Sequence, residues 1–267
     1  MRLQPVAAIL LRQWYLLRGS PVRVLPMFAW VAIDIVLWGF ISRYLNAVSG
    51  AGINFTTVFL GAVLLWDLCG RVMQGLTTAF LEDVWSRNFL NLFASPLSIS
   101  EYVAGLVLAS IATSLVGLAV MLALAVPVFG LSLLALGAPL LIFLLVLYGF
   151  GVALGVLASA MVLRFGPASE WLVWPIPALL SPFCAVFYPL SVLPAWMQGV
   201  AHALPPSYVF EGMRAVLQGR PFAMPAALTA IILAALEIVL AGYCFVRVYR
   251  RAVRTGLLAR YSAETVS

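Results

Sequence analysis

Long apolar runs, each about as long as a bilayer is thick, follow one another along this chain with only short polar breaks. A membrane-crossing helix needs about 20 mostly apolar residues. Six stretches reach that length. They run from about Val24 to Leu45, Thr56 to Leu81, Tyr102 to Phe129, Leu133 to Leu163, a fifth that starts near Trp171 and breaks up around Pro189, and Met224 to Val248. The runs are continuous rather than alternating, and a lipid environment tolerates only helices or closed barrels, so helices are expected. The pattern predicts an all-α integral membrane protein with six transmembrane helices, a single domain over 1–267.

Three segments depart from the spanning pattern. The first, residues 1–20, places Val6, Ile9, Leu10, Trp14 and Leu17 on a broad apolar face, with Arg12 and Arg18 elsewhere. This predicts an interfacial helix. Its arginines are spread through it and no small-residue cleavage site follows, unlike a signal peptide. In the second, residues 82–98, Trp85, Phe89, Leu92 and Phe93 share one helical face, opposite Glu82, Asp83, Arg87 and Asn91. Ser95-Pro96 ends that helix, and Ser98 with Glu101 has the spacing of a capping box that starts the next span. Such a helix either covers lipid head groups or docks into a groove on a soluble partner. The third segment, residues 189–221, follows a run broken by Pro175, Pro177, Pro182, Pro189 and Pro194. It holds Trp196 and His202, then restarts at Pro205-Pro206-Ser207 through Tyr208, Glu211 and Arg214. Ser207 is the expected N-cap, and Glu211 with Arg214 is an i, i+3 pair. Two half-helices dipping back into the membrane account for this pattern, a re-entrant helical hairpin before the last span.

Composition sharpens the picture. Charged residues make up 9% of the chain and hydrophobic ones 64%, against about 25% and 45–50% in soluble domains. All 15 basic residues are arginine. Without a lysine the chain carries no P-loop and no Schiff-base chemistry, so ATP hydrolysis would need another chain. The arginines gather before span one, at Arg87, at Arg164 and in the basic tail 247–267, which places both termini and the 82–100 and 164–170 loops in the cytoplasm. Cys69, Cys184 and Cys244 lie far apart in apolar stretches and read as buried packing residues. No metal site and no catalytic residue emerges.

Ionisable residues inside the spans are expensive, about 2.5–3.5 kcal/mol each on insertion scales, so each calls for a partner or a wet cavity. Asp34, Asp67, Arg71 and Glu237 are the four in question. Asp67 and Arg71 sit one turn apart and can pair, either as a structural bridge or as the lining of a path. Arg71 or a second chain is the expected partner of Asp34. His202 stands alone among apolar residues and reads as a packed or interfacial histidine. Most tryptophans fall near span ends, as in interfacial belts. The basic tail would attract anionic lipid or an acidic patch on a partner.

The run Phe187-Tyr188-Pro189-Leu190-Ser191-Val192-Leu193-Pro194-Ala195-Trp196, with Pro205-Pro206-Ser207-Tyr208, Glu211 and Arg214, and with Ser95-Pro96-Leu97-Ser98, resembles the permease subunits of ABC-2 type exporters. That family carries drugs, lipo-oligosaccharides and polysaccharides. Pro205 stands where the family usually has asparagine. The resemblance implies a homodimer in a bacterial-type inner membrane that recruits two copies of a separate ATPase, with ATP and Mg held there and no cofactor on this chain. By the same resemblance 82–98 would be the coupling helix, through Glu82, Asp83, Trp85, Arg87, Phe89, Leu92, Phe93 and Pro96. The hairpin, with Pro189, Pro194, Trp196, His202, Pro206, Tyr208, Glu211 and Arg214, would shape the outer mouth. Membrane lipids are further partners, and nucleic acid is not one. Two other classes stand beside this reading: a proton-coupled carrier using Asp34, Asp67 and Glu237, and an intramembrane lipid- or sugar-modifying enzyme. The enzyme would need a cluster of His, Asp or Cys that this sequence lacks.

Overall fold

The computed structural model describes residues 2–49, 56–86, 92 and 95–256, with side chains at all of these except 21–28, 30, 31, 49, 85 and 167. Every regular element among them is helical. In chain order they are α1 (Leu3–Arg18), α2 (Pro21–Ser49), α3 (Gly61–Trp85, entered through a π-helical turn at Thr56–Leu60), α4 (Ile99–Phe129), α5 (Pro139–Phe165), α6 (Glu170–Val173), α7 (Ile176–Leu180), α8 (Ala195–His202), α9 (Pro205–Leu217) and α10 (Met224–Arg254). Four stretches among the described residues are long and apolar enough to cross a membrane: Thr56–Val84, α4, α5 and α10. The helix α2 extends over 29 residues. The fifth expected span is instead the short apolar stretch Glu170–Leu180 followed by turns.

Local sequence sets several boundaries. Ser98 Oγ accepts from the Glu101 amide while the Glu101 carboxylate accepts from the Ser98 amide, so the capping box starts α4 where the spacing placed it. Gly130, at φ +68°, closes α4 in the left-handed conformation that glycine adopts freely. Pro127 sits inside the last turn of α4 rather than in the loop after it. The last helix runs beyond Val248 through Arg250 and Arg251 to Arg254, so the start of the basic tail is helix; residues 257–267 lie outside the described residues. Ser207 is not an N-cap. The helix α9 begins two residues earlier, at Pro205, whose missing amide suits a first turn that has no partner to offer it. The Ser207 hydroxyl donates back to Ala201 and Leu204 carbonyls, bracing the α8–α9 corner.

The helix α5 is the centre of the bundle, flanked by α3 and α10; α3 in turn packs on α4, and α4 carries both α1 and α2. The α3–α5 contact is close because of two glycines one turn apart. A Cβ on Gly151 would stand 2.8 Å from the Cys69 carbonyl oxygen and 2.9 Å from Val72 Cβ, and one on Gly155 would stand 3.2 Å from Leu76 Cβ. In lipid no hydrophobic force presses helices together, so such close backbone approach supplies the dispersion contact instead. Gly105 does the same for α1, its missing Cβ leaving room for Ile9. The inner face of α1 is therefore Val6, Ile9 and Gln13, while Leu11, Trp14 and Tyr15 point outward. The apolar positions of α1 thus divide between α4 and the exterior, rather than forming one face.

Cys69 and Cys184 are buried as expected, whereas Cys244 is exposed on the outer side of α10. At one end of the bundle lie α1, the last turn of α3 and the start of α4; at the other lie α9, the Leu133–Leu136 turn and the Thr56–Leu60 turn. The glycine seam yields a direct test. Gly151→Val should lower the stability of the purified protein by about 1–3 kcal/mol through overpacking. Gly199→Val, at a helical glycine with no neighbour within 4 Å of the added Cβ, should leave it nearly unchanged in the same thermal-denaturation assay.

Candidate functional site

Asp83 is fully buried in the last turn of α3. Three donors meet its carboxylate. Both terminal nitrogens of Arg12, on α1, donate to it, one at 2.9 Å, and the Tyr102 hydroxyl of α4 donates at 2.7 Å. The hydrogen bond to Asp83 holds the Arg12 guanidinium above its ordinary pKa, so Arg12 is a permanent cation. Bidentate pairing of this kind is short, directional and strong. A second contact ties the other end of α1 down: the Arg2 amide donates to Glu101 at 2.9 Å, and its guanidinium reaches Glu101 and the Pro96 carbonyl.

These contacts bracket the connection between α3 and α4. Asp83 lies just before it, and Pro96 and Glu101 just after it. Glu82 and Asp83, expected on the polar face of a surface helix, belong instead to α3, and Asp83 faces inward. Residues 87–91, 93 and 94, including Arg87, Phe89 and Phe93, lie outside the described residues, as does the Trp85 side chain. Leu92 is half-buried against the same apolar cluster as Leu81 and Tyr102, and its carbonyl accepts from the Ser95 hydroxyl.

Above this clasp the helices part. A cavity of about 650 Å³ opens between α1, α2, α3 and α4. Along α3 its wall is Asp67, Arg71, Gln74, Thr78 and Glu82, successive positions of one helical face. Across from them α4 offers Ser110, Thr113 and Ser114, while α2 contributes Asp34 and α1 contributes Gln13. Arg71 Nε donates to Asp67 Oδ2, and the aliphatic stem of Arg71 lies along Gly117 of α4, where an added Cβ would meet it at 3.3 Å. Asp34 shares the cavity and feels the Arg71 charge. Three of the four intramembrane ionisable groups read from the sequence thus converge on one cavity. Glu237 does not join them; it faces the α10–α5 packing seam, where its Oε2 is buried without a hydrogen-bond partner among the described residues. Gln13, Gln74, Thr78 and the α4 hydroxyls escaped the sequence reading. For Gln74 and Thr78 the signal was there, as a polar residue every third or fourth position from 67 to 82.

The far end carries a different constellation. The backbone leaves helical geometry around Ala185, which takes φ +50°. Arg214, buried on α9, donates to the freed Ala185 and Val186 carbonyls at 2.9 and 3.2 Å and pairs with Glu211 at 3.0 Å. Glu211 in turn accepts the Leu190 amide at 2.7 Å. A broken helix is tolerable in an apolar setting only when such partners replace the lost ladder. Pro206 is buried in the first turn of α9, Tyr208 donates to the His202 carbonyl at 2.9 Å, and Pro189, Pro194, Trp196 and His202 are exposed.

The ABC-2 type transporter family matches residues 6–217, from the first turns of α1 to the end of α9. The chain belongs to the ABC-2 type transporter family. A comparison with curated proteins found no match. Membership makes it a multi-pass membrane component of transport, and members of this family typically work with an ATPase partner. The match covers the clasp, the cavity and the Arg214 network, and it stops before α10.

Two experiments address these sites. Arg12→Ala and Asp83→Ala should each cost roughly 3 kcal/mol, the low end for a broken buried pair because 27% of the Arg12 side chain reaches solvent. The double variant should lose clearly less than the sum, read as a coupling energy in a double-mutant cycle of thermal unfolding. At the other end, Arg214→Met strands two carbonyls and should destabilise by about 2 kcal/mol. Glu211→Gln, which keeps an acceptor for Leu190, should cost less.

Proposed function

We propose that this chain is the membrane-spanning permease subunit of an ATP-driven exporter, working as a homodimer with two copies of a separate P-loop ATPase. In this reading α2, Thr56–Val84, α4, α5, the broken Glu170–Leu180 stretch and α10 supply the six crossings, and α8 with α9 forms the re-entrant hairpin. Both termini face the cytoplasm and the chain sits in the inner membrane. ATP and Mg stay on the partner. The substrate is an amphipathic or hydrophobic compound such as a drug, a glycolipid or a polysaccharide.

One observation carries the proposal beyond family membership. The segment between α3 and α4 joins the two helices that line the polar cavity, and α1 grips it on both sides through Arg12–Asp83–Tyr102 and Arg2–Glu101–Pro96. A partner pressing on 87–94 therefore loads the cavity walls directly. Breaking a buried charge pair is costly, so the clasp transmits the load instead of yielding. The absence of lysine supports a P-loop carried by that partner. The basic end of α10, with Arg250, Arg251 and Arg254, adds cationic charge for anionic lipid or an acidic surface on the ATPase.

The test is co-expression with the ATPase encoded nearest to it. Replacing Trp85, Phe89 and Phe93 together by alanine should reduce ATPase co-purification and ATP-driven transport at least tenfold. The purified chain alone should keep its fold and its thermal stability. ATP-dependent transport by the chain without any partner would overturn the proposal. Transport driven by a pH gradient alone and abolished by Asp67→Asn would establish the carrier reading in its place.

A further inference from the structure

One face of α10 changes character along its length. Met224, Leu228, Ile232, Leu236, Val239 and Tyr243 recur every three or four residues and are all exposed. They form a single stripe turned away from the bundle. At a rise of 1.5 Å per residue the stripe is about 29 Å long, close to the roughly 30 Å of a bilayer's hydrocarbon core. The same face continues as Arg247, Arg250 and Arg254, with Arg251 beside them, all exposed. Arg247 stands about 6 Å beyond Tyr243 along the axis, Arg250 and Arg251 about 10–12 Å, and Arg254 about 16 Å. The head-group layer is roughly 5–8 Å deep on each side. Arg247 therefore lies within it, Arg250 and Arg251 reach back to it, and Arg254 is past it.

No acid answers these cations. Glu170 accepts the Trp174 indole N–H at 3.0 Å, and Glu237 lies about 15 Å along the helix from Arg247. Every other described carboxylate belongs to the cavity, the clasp or Arg214. Among the described residues Arg247, Arg250, Arg251 and Arg254 make no hydrogen bond or ion pair. Arg247 lies over the Tyr243 ring, 5.0 Å from its centroid. That seat holds the cation at the end of the apolar stripe and leaves its in-plane N–H donors open. The neighbouring helix adds a further cation. An added Cβ on Gly149 would touch Ala234 and Ile238, a register that brings Arg164, near the end of α5, level with Arg251. Arg164 stands over the exposed Phe165 ring at 5.2 Å, so each helix ends in an arginine seated on an aromatic ring.

We infer that this face binds an anionic phospholipid whose head group carries two phosphates. One phosphate meets Arg247 and Arg251, one turn apart, in the paired N–H geometry that arginine offers a phosphate. The second meets Arg250 or, across the α5–α10 seam, Arg164. The acyl chains lie along the stripe from Tyr243 toward Met224. A zwitterionic head group fits worse, since its ammonium meets a surface that is already cationic. An acidic protein surface would be met first by Arg254, the arginine farthest out, and would gain nothing from the apolar stripe. The inference sharpens the lipid arm of the proposed function and rests on that reading only for which leaflet the lipid occupies; binding itself needs no ATPase.

The experiment is titration of the full chain in detergent with tetraoleoyl cardiolipin, the affinity of the first bound lipid being read by native mass spectrometry. Cardiolipin should bind at least tenfold more tightly than dioleoylphosphatidylglycerol, and dioleoylphosphatidylcholine more weakly still. Arg247→Gln and Arg251→Gln should each weaken cardiolipin about fivefold, the scale of one arginine at an anionic membrane surface. Either variant serves should the other fail to fold, with thermal unfolding as the check. Arg254→Gln, which removes the same charge from beyond the head groups, should change the affinity less than twofold. Equal affinity for the three lipids overturns the inference. So does unchanged cardiolipin binding by a folded Arg247→Gln/Arg251→Gln variant, or a loss in Arg254→Gln as large as in Arg247→Gln. A double variant that keeps its cardiolipin affinity but loses ATPase co-purification assigns the face to the ATPase and also overturns it. Lipid affinity is measured on the chain alone, so its failure leaves the permease reading standing.

Discussion

A carboxylate with no exposed surface stays charged in a membrane protein only if donors surround it, and the donors around Asp83 come from two other elements. Arg12 belongs to α1 and Tyr102 to α4. Satisfying one side chain of α3 therefore fixes the position of α1 and the angle at which α4 departs from it. Each partner alone would be poorly placed. Arg12 would lie on a helix whose outer side is apolar, and the Tyr102 hydroxyl would be buried without an acceptor. Together they convert three separate costs of desolvation into one satisfied network. The Arg2–Glu101 contact repeats the device one element further along, so α1 is held at both ends.

The two sides of α3 then divide the molecule. Toward α5 it presents Cys69, Val72, Met73 and Leu76 to Gly151 and Gly155, a dry and closely packed seam. Toward α1, α2 and α4 it presents Asp67, Arg71, Gln74 and Thr78 to a polar-lined cavity. A helix that is apolar on one side and polar on the other would be an interfacial helix if it were alone. Here α5 covers the apolar side and the cavity hydrates the polar one, so α3 can stand across the membrane.

Much of this was legible in the residues. Four of the six expected spans, the capping box at Ser98, the Asp67–Arg71 pair and the Glu211–Arg214 pair follow from local spacing, which acts within one or two turns. What was not legible depends on which helices meet. Asp83 reads as polar surface because nothing near it in sequence supplies a cation; its partner is 71 residues away. Arg12 reads only as a residue off the apolar face of α1 for the same reason. Gly151 and Gly155 are unremarkable until α3 is laid against them. The extra polar residues of the cavity, Gln74, Thr78 and Ser110, carry no charge, and a neutral side chain in a span raises no alarm. Ser207 misled because a serine near a helix start usually caps it, but Pro205 already met the requirement.

The grouping of charge has a physical reason of its own. Asp34, Asp67, Arg71 and Glu82, spread singly over four lipid-facing sites, would each have to bear their desolvation separately. Gathered on one cavity they share the same water, and the Asp67–Arg71 pair offsets part of the remaining penalty. The cost of keeping polar groups in a membrane is thus met once, by opening a space. That space has to be held open against collapse of the surrounding helices. The clasp at Asp83 and the glycine seam at Gly151 do this from two directions, one anchoring α1 and α4 and the other fixing α3. Their positions set the cavity between the two helices whose connection the clasp brackets, so that in the proposed transporter a load applied there would reach its walls.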